Sequence, residues 1–362
     1  MLAAVVLASP AAAAPTLIAA TPMADPPRFA EAWRIRYRST GIDGQPLTVT
    51  GLVIVPRAPA PPGGRDIVAW AHGTTGIADV CAPSTTDSAF LIPGLERLVD
   101  AGYVVVATDY AGLGGPGPHP YLVGDSAARS VLDAVRAARD MRGVRTSGRF
   151  IVAGESQGGH AALWTASRAP RYAPDLKLLG VVALEPPTDL RANLTGGTNA
   201  GVRAFLTAFT AASWSEVYHL PLATVVRPQG ANLIHRIAQN CVTLDGFKLR
   251  TKIGLVRLMG QLRGVDLSAS PRWAALMQQN SVAPVRLGVP LLVAQGGKDQ
   301  IVAPAVTRQF VTKLCRAGQP LRFIEDADAS HMDLGTRNAA VMTDWIDDRF
   351  AGKPAPSDCA SL

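Results

Sequence analysis

Five residues, Gly154-Glu155-Ser156-Gln157-Gly158, set a serine between two glycines at the junction of an apolar run, FIVA, and a helical stretch, HAALWTASR. A sharp strand-to-helix turn needs that composition, because glycine at both flanks removes the Cβ atoms that would clash and leaves the serine oxygen exposed. A serine hydroxyl becomes a nucleophile at neutral pH only when an imidazole takes its proton. His331, in DADASHMD, is the expected base, since it follows the last strand-like run, and this order of nucleophile, acid and base suits a serine nucleophile on a parallel sheet. Asp299, in AQGGKDQIV directly after the run PLLVA, is the expected carboxylate that holds one tautomer of the ring. Asp326, Asp328 and Asp333 beside His331 read as solvated loop carboxylates, with Asp328 the first competitor and Asp189 a weaker one. His160 reads as a packing residue on the helix flank, His219 and His235 fall in a helical insertion, and His119 lies in a Gly/Pro loop.

Acyl transfer also needs donors for the developing oxyanion. The backbone N–H of Gln157 is one. The other is expected from His72-Gly73-Thr74-Thr75-Gly76, which follows the run IVAWA, with Thr75 favoured and Thr74 next.

These residues need a scaffold, and the chain alternates β-branched runs with helical patterns in the manner of a mostly parallel α/β sheet covered by helices on both faces. Strands are expected over Leu47 to Val55, Ile67 to Ala71, Tyr103 to Thr108, Phe150 to Gly154, Leu178 to Leu184, Pro290 to Ala294 and Leu321 to Ile324, and a helix from Gly124. From Pro187 to about Ala283 the strand signal stops. There RAFLTAFTAASW and KIGLVRLMGQL read as short amphipathic helices, so residues 187–283 are expected to form a helical cap on a core built from 21–186 and 284–362. Apolar positions in the cap, Phe205, Phe209, Leu258 and Met259, are candidates to line an acyl pocket over Ser156.

Apolar residues make up 48% of the 362 and charged residues 17%, a globular composition without low-complexity tails. The net charge of +7 comes from arginines scattered along the chain instead of clustered with aromatics, which argues against nucleic acid and leaves transient contact with lipid interfaces open. Residues 1–20 are uncharged, apolar and end in small residues, as a signal peptide does, so a secreted or periplasmic location is expected; Pro10 and Pro15 interrupt a run already short for a membrane anchor. The four cysteines, Cys81, Cys241, Cys315 and Cys359, lack the spacing of zinc or redox sites and suggest two disulfides in any of three pairings. Oligomeric state leaves no trace in the sequence.

The segments HGTTGIADVCAPS, ATDYAGLGGPGPHPYLVG and GESQGGHAALW together resemble the secretory lipase family of bacteria and fungi, over about Phe29 to Phe350. The resemblance implies an α/β-hydrolase core with a large helical cap, a triad at Ser156, Asp299 and His331, and no metal or cofactor. It also implies disulfides joining Cys81 to Cys241 and Cys315 to Cys359. The elbow here carries Glu155 and Gln157 where the fungal relative has other residues, so acyl-chain preference is not implied. The function expected is hydrolysis of small-molecule or lipid esters; an aminopeptidase or amidase on the same fold, for which the sequence offers no amine-binding acidic cluster, and a catalytically dead binding protein are the other readings.

Overall fold

A computed structural model describes residues 16–196, 199–242, 249–261 and 265–362. Nine strands form one sheet: β1 (Leu17–Pro22), β2 (Ala30–Thr40), β3 (Pro46–Pro56), β4 (Arg65–Ala71), β5 (Val104–Thr108), β6 (Thr146–Glu155), β7 (Lys177–Leu184), β8 (Leu291–Gly296) and β9 (Leu321–Asp326). Their order is β1-β2-β3-β5-β4-β6-β7-β8-β9. Pairing is antiparallel from β1 to β5 and parallel from β5 onward. All seven expected strands are present, with ends moved by a few residues. The two additional strands include β2, where WRIRYRS alternates inward and outward residues with period two. Residues 17–20, within the expected leader, lie in β1, which pairs with β2; residues 1–15 lie outside the described residues.

Alternation explains how the sheet holds two layers of helices. In β4, Ile67, Ala69 and Ala71 face one core while Val68 and Trp70 face the other, and β6 repeats this with Phe150 and Val152 against Ile151 and Ala153. The first face is covered by α2 (Gly124–Asp140), α3 (Gln157–Tyr172) and α9 (Pro304–Arg316); the second by α1 (Leu95–Asp100) and α11 (Ala339–Phe350), with the short α10 (Leu334–Arg337) leading into the latter. Each buried leucine or phenylalanine so placed contributes about 1.5–3 kcal/mol of apolar burial.

Between β7 and β8 the chain leaves the sheet, as the missing strand signal implied. The interval holds α4 (Leu190–Gly196), α5 (Ala200–Val217), α6 (Pro228–Ala238), α7 (Leu249–Gln261) and α8 (Pro271–Asn280), which share a third apolar core around Trp214 and Trp273. That core includes Tyr121, Leu122 and Val123 of the loop before α2, and Trp214 Nε1 and Ser213 Oγ donate to the carbonyls of Tyr121 and His119. Two disulfides, Cys81 to Cys241 and Cys315 to Cys359, are formed. Among the described residues, no helix is long and apolar enough to cross a membrane.

Candidate active site

Parallel strands all end at one edge of the sheet, where loops can carry chemistry. Here β4 delivers His72 to Gly76, β5 delivers Asp109, β6 delivers Ser156, β7 delivers Glu185, and the loops after β8 and β9 deliver Asp299 and His331. Ser156 sits between β6 and α3 with φ 53° and ψ −119°, a conformation that L residues rarely adopt. Its amide donates to the Leu184 carbonyl at 2.9 Å, which ties the turn to the neighbouring strand. The glycine flanks are required by packing: a Cβ on Gly154 would come 2.6 Å from the Ala71 oxygen, and one on Gly158 would overlap the same carbonyl.

His331 Nδ1 donates to Asp299 Oδ2 at 2.8 Å, with the Asp299 side chain fully buried and the ring 9% exposed. Asp299 is fixed by three further donors: the amides of Ile301 and Val302 on Oδ1 at 2.7 and 2.8 Å, and Gln295 Nε2 on Oδ2 at 3.0 Å. Gln295 is itself held by the Thr307 hydroxyl. This leaves Nε2 of the ring free to accept a proton on the cavity side, where Ser156 and His331 are both exposed to the same space. The competing carboxylates are engaged elsewhere. Asp328 is exposed and pairs with Lys298 at 2.8 Å, Asp326 binds Arg337, Asp333 accepts from the Ser330 amide and hydroxyl, and Asp189 accepts from the Ala192 amide at the start of α4.

On the other side of Ser156, Thr74 and Thr75 both line the cavity. Thr74 Oγ1 is hydrogen-bonded to the Tyr121 hydroxyl at 2.9 Å, whereas the buried Thr75 Oγ1 has no partner. Gln157 begins α3, so its backbone N–H is one of the helix's unpaired donors. Its side-chain Nε2 donates to His119 Nε2 at 3.0 Å while its Oε1 is left without a partner, and His119 Nδ1 donates to the Ala111 carbonyl. Burial pushes His119 down to about 4, which keeps that ring nitrogen an acceptor. His160 is fully buried, bonds the Asn280 carbonyl through Nε2, and burial lowers it to about 4, so it packs as expected.

The cavity has a volume of ≈ 200 Å³. From the helical interval between β7 and β8 it receives Phe205, Leu206 and Val242, and from the rest of the chain Trp70, Leu91 and Ile92. Phe209, Leu258 and Met259, expected beside Phe205, are not among its lining: Phe209 and Leu258 are fully buried in the third apolar core, and Met259 packs against it. The reason is axial offset, since Phe209 lies one turn further along α5, about 6 Å away. The Cys81 to Cys241 disulfide ties the helical interval to the loop after β4 at this spot, and the Val242 amide donates to the Thr75 carbonyl at 2.8 Å. Sequence reasoning missed Glu185 and gave Glu155 no part in the site, although both line the cavity. The available signal was a glutamate directly after the buried run VVAL and before two prolines, where an unpaired carboxylate has no structural use. Among the described residues, no cluster of three His, Cys, Asp or Glu side chains could hold a metal ion.

A mostly parallel sheet, helices on both faces and a serine on a strained strand-to-helix turn define an α/β-hydrolase. A model of the secretory lipase family matches residues 84–358. The chain belongs to that family and is a carboxylic ester hydrolase. Lipase 5 of Candida albicans is 26% identical, covering 93% of this chain and 76% of that protein. A Mycobacterium tuberculosis protein described as a probable inactive lipase is 24% identical, covering 91% and 75%. Among solved structures, Candida antarctica lipase A superposes with a TM-score of 0.75 at 17% identity over 95% of this chain and 84% of that one. The rice cell wall degrading esterase of Xanthomonas oryzae gives 0.74 at 19% identity over 92% and 98%.

Proposed function

We propose that this chain is an exported serine esterase or lipase that cleaves acyl esters through Ser156, His331 and Asp299 by way of an acyl-enzyme. One observation carries the reading: a serine on a strained elbow shares a cavity with a histidine whose far nitrogen is held by a buried, fully hydrogen-bonded aspartate. Ser156 Oγ attacks the ester carbonyl carbon as its proton passes to His331 Nε2, and the carbonyl π electrons move onto oxygen. Asp299 stabilises the imidazolium through Nδ1–H without taking the proton. The Gln157 N–H, with the Thr75 amide or its unpartnered hydroxyl, stabilises the oxyanion. Collapse expels the alcohol, which takes the proton from His331 and leaves the acyl group on Ser156; water repeats the sequence to release the acid. The helices of residues 187–283 act as the cap, with Phe205 and Leu206 forming the apolar wall of the acyl site. Two disulfides fit an oxidising compartment.

Hydrolysis of p-nitrophenyl esters from acetate to palmitate, beside an aminoacyl anilide, tests this. Ser156→Ala and His331→Ala are expected to lower kcat at least ~10³-fold with the fold intact, and Asp299→Asn by a similar factor. Asp328→Asn is expected to leave the rate within about twofold, its carboxylate being a solvated ion pair. Near-normal turnover by Ser156→Ala would overturn the mechanism, and faster turnover of the anilide would overturn the ester assignment. The inactive reading fits less well, because all three residues and the hydrogen bond between two of them are retained in this chain.

A further inference from the structure

Two carboxyl groups beside the nucleophile have no task in the steps above. Glu155 ends β6 and lies opposite Leu184 in the register, so Glu185, one residue on, belongs to the same edge of the sheet. Both side chains line the cavity with Ser156 and His331. Glu185 is 1% exposed, its Oε2 has no hydrogen-bond partner, and its backbone sits at φ 34°. An unpaired buried acid on a left-handed backbone is doubly unfavourable, and such a combination persists where a site requires it. Glu155 is bordered by Gly73 and Gly335: a Cβ on the latter would come 2.9 Å from Glu155 Oε2. Neither neighbour brings a counter-charge.

The described lining of the cavity contains no lysine or arginine. Asp299 and Asp333 face Glu185 and add negative charge, and Asp109, bonded by Thr50 and Ser84, lies at the end of β5. The two histidines of the lining do not supply a fixed cation: His72 is kept neutral by burial, and His331 is committed to Asp299. Burial first, then Glu155, Asp299 and Asp333, push the Glu185 carboxyl up to about 10, and burial raises Glu155 against the opposing pull of His331. A protein with a net charge of +7 thus keeps, at its nucleophile, an acidic cavity whose described lining has neither lysine nor arginine.

We propose that Glu155 and Glu185 form a subsite for a cationic group, an ammonium carried by the alcohol or acyl part of the ester. The inference rests on ester hydrolysis at Ser156 and names the substrate class. The pair gives up a proton to solvent as the cation enters, and the Trp70 and Phe205 rings in the same lining provide faces to which an ammonium is attracted. This is also the amine-recognising acidic cluster for which the sequence offered no sign, because its two members lie thirty positions apart and meet only across adjacent strands.

Butyrylcholine and its uncharged carbon isostere, 3,3-dimethylbutyl butyrate, differ only in the charged centre. The oxidised wild-type chain is expected to hydrolyse the cationic ester with kcat/KM ~10-fold or more above the isostere, the scale of one desolvated charge contact. Glu155→Gln and Glu185→Gln are expected to bring that ratio close to one. Should either variant fail to fold, competition on the wild type gives the same answer: tetramethylammonium is expected to inhibit p-nitrophenyl butyrate hydrolysis competitively, and tert-butanol is not. A wild-type ratio of one or below, or equal inhibition by the two small molecules, overturns the subsite while ester hydrolysis stands. Failure to hydrolyse any of the three butyrates overturns both.

Discussion

Glu185→Gln should make the protein more stable at neutral pH, which is unusual for a change at the wall of an active site. The Glu185 carboxyl ionises at 4.5 in an unfolded chain and is pushed to about 10 in the fold, by burial and then by Glu155, Asp299 and Asp333. The folded state therefore binds a proton that the unfolded state has released throughout that window. Stability falls as pH rises from 4.5 towards 10, by ~1.4 kcal/mol per unit for this group. At pH 7, two and a half units above the lower value, the deficit is about 3 kcal/mol as an upper bound. Glutamine has the same shape, cannot titrate, and leaves an unpartnered polar atom where the neutral acid already leaves one, so the proton contribution is what the substitution removes. Urea unfolding followed by tryptophan fluorescence, with both disulfides oxidised, should show the two proteins alike near pH 4 and the variant ahead by up to about 3 kcal/mol at pH 7, widening at pH 9. A gap independent of pH, or a variant less stable at pH 7, would refute the placement of a neutral carboxyl there. Stability gained together with a lost preference for cationic esters would mark Glu185 as retained for function.

Further outcomes concern the disulfides and the two phenylalanines of α5. Replacing Cys81 and Cys241 by serine opens a loop of 160 residues and should cost up to about 5 kcal/mol of chain entropy. The same variant should lower kcat/KM as well, because the bond lies next to the Val242 to Thr75 hydrogen bond; mass spectrometry of unreduced wild-type peptides should give the 81–241 and 315–359 links, and a link from Cys81 to Cys315 would refute the pairing. Phe205→Ala should shift the ratio of kcat/KM between long and short p-nitrophenyl esters several-fold, while Phe209→Ala should leave that ratio alone and lower stability by about 3–5 kcal/mol. Equal effects of the two on the ratio would place both rings in the cavity and refute the distinction.

Ser156 was legible in the sequence because an elbow is a local event: a period-two run meets a period-3.6 run, and glycine is the one residue that the Ala71 carbonyl leaves room for on either side. The sheet was legible for the same reason, each buried strand carrying its own apolar run, and β2 was there to be read in its alternation. Local order could bring Asp299 and His331 only as far as the ends of their strands. Whether Asp299 or Asp328 would meet the ring depended on which loop the fold buries: one carboxylate is enclosed by the amides of Ile301 and Val302, the other reaches Lys298 in solvent. The cap shows the limit again, since Phe205 and Phe209 share a helix face, and only the position of α5 over the sheet puts one ring in the cavity and the other in the core. The Glu155 and Glu185 pair was the least legible. Its carboxyls become neighbours through the pairing of β6 with β7, and their charge state is set by a desolvation that depends on what the fold packs around them.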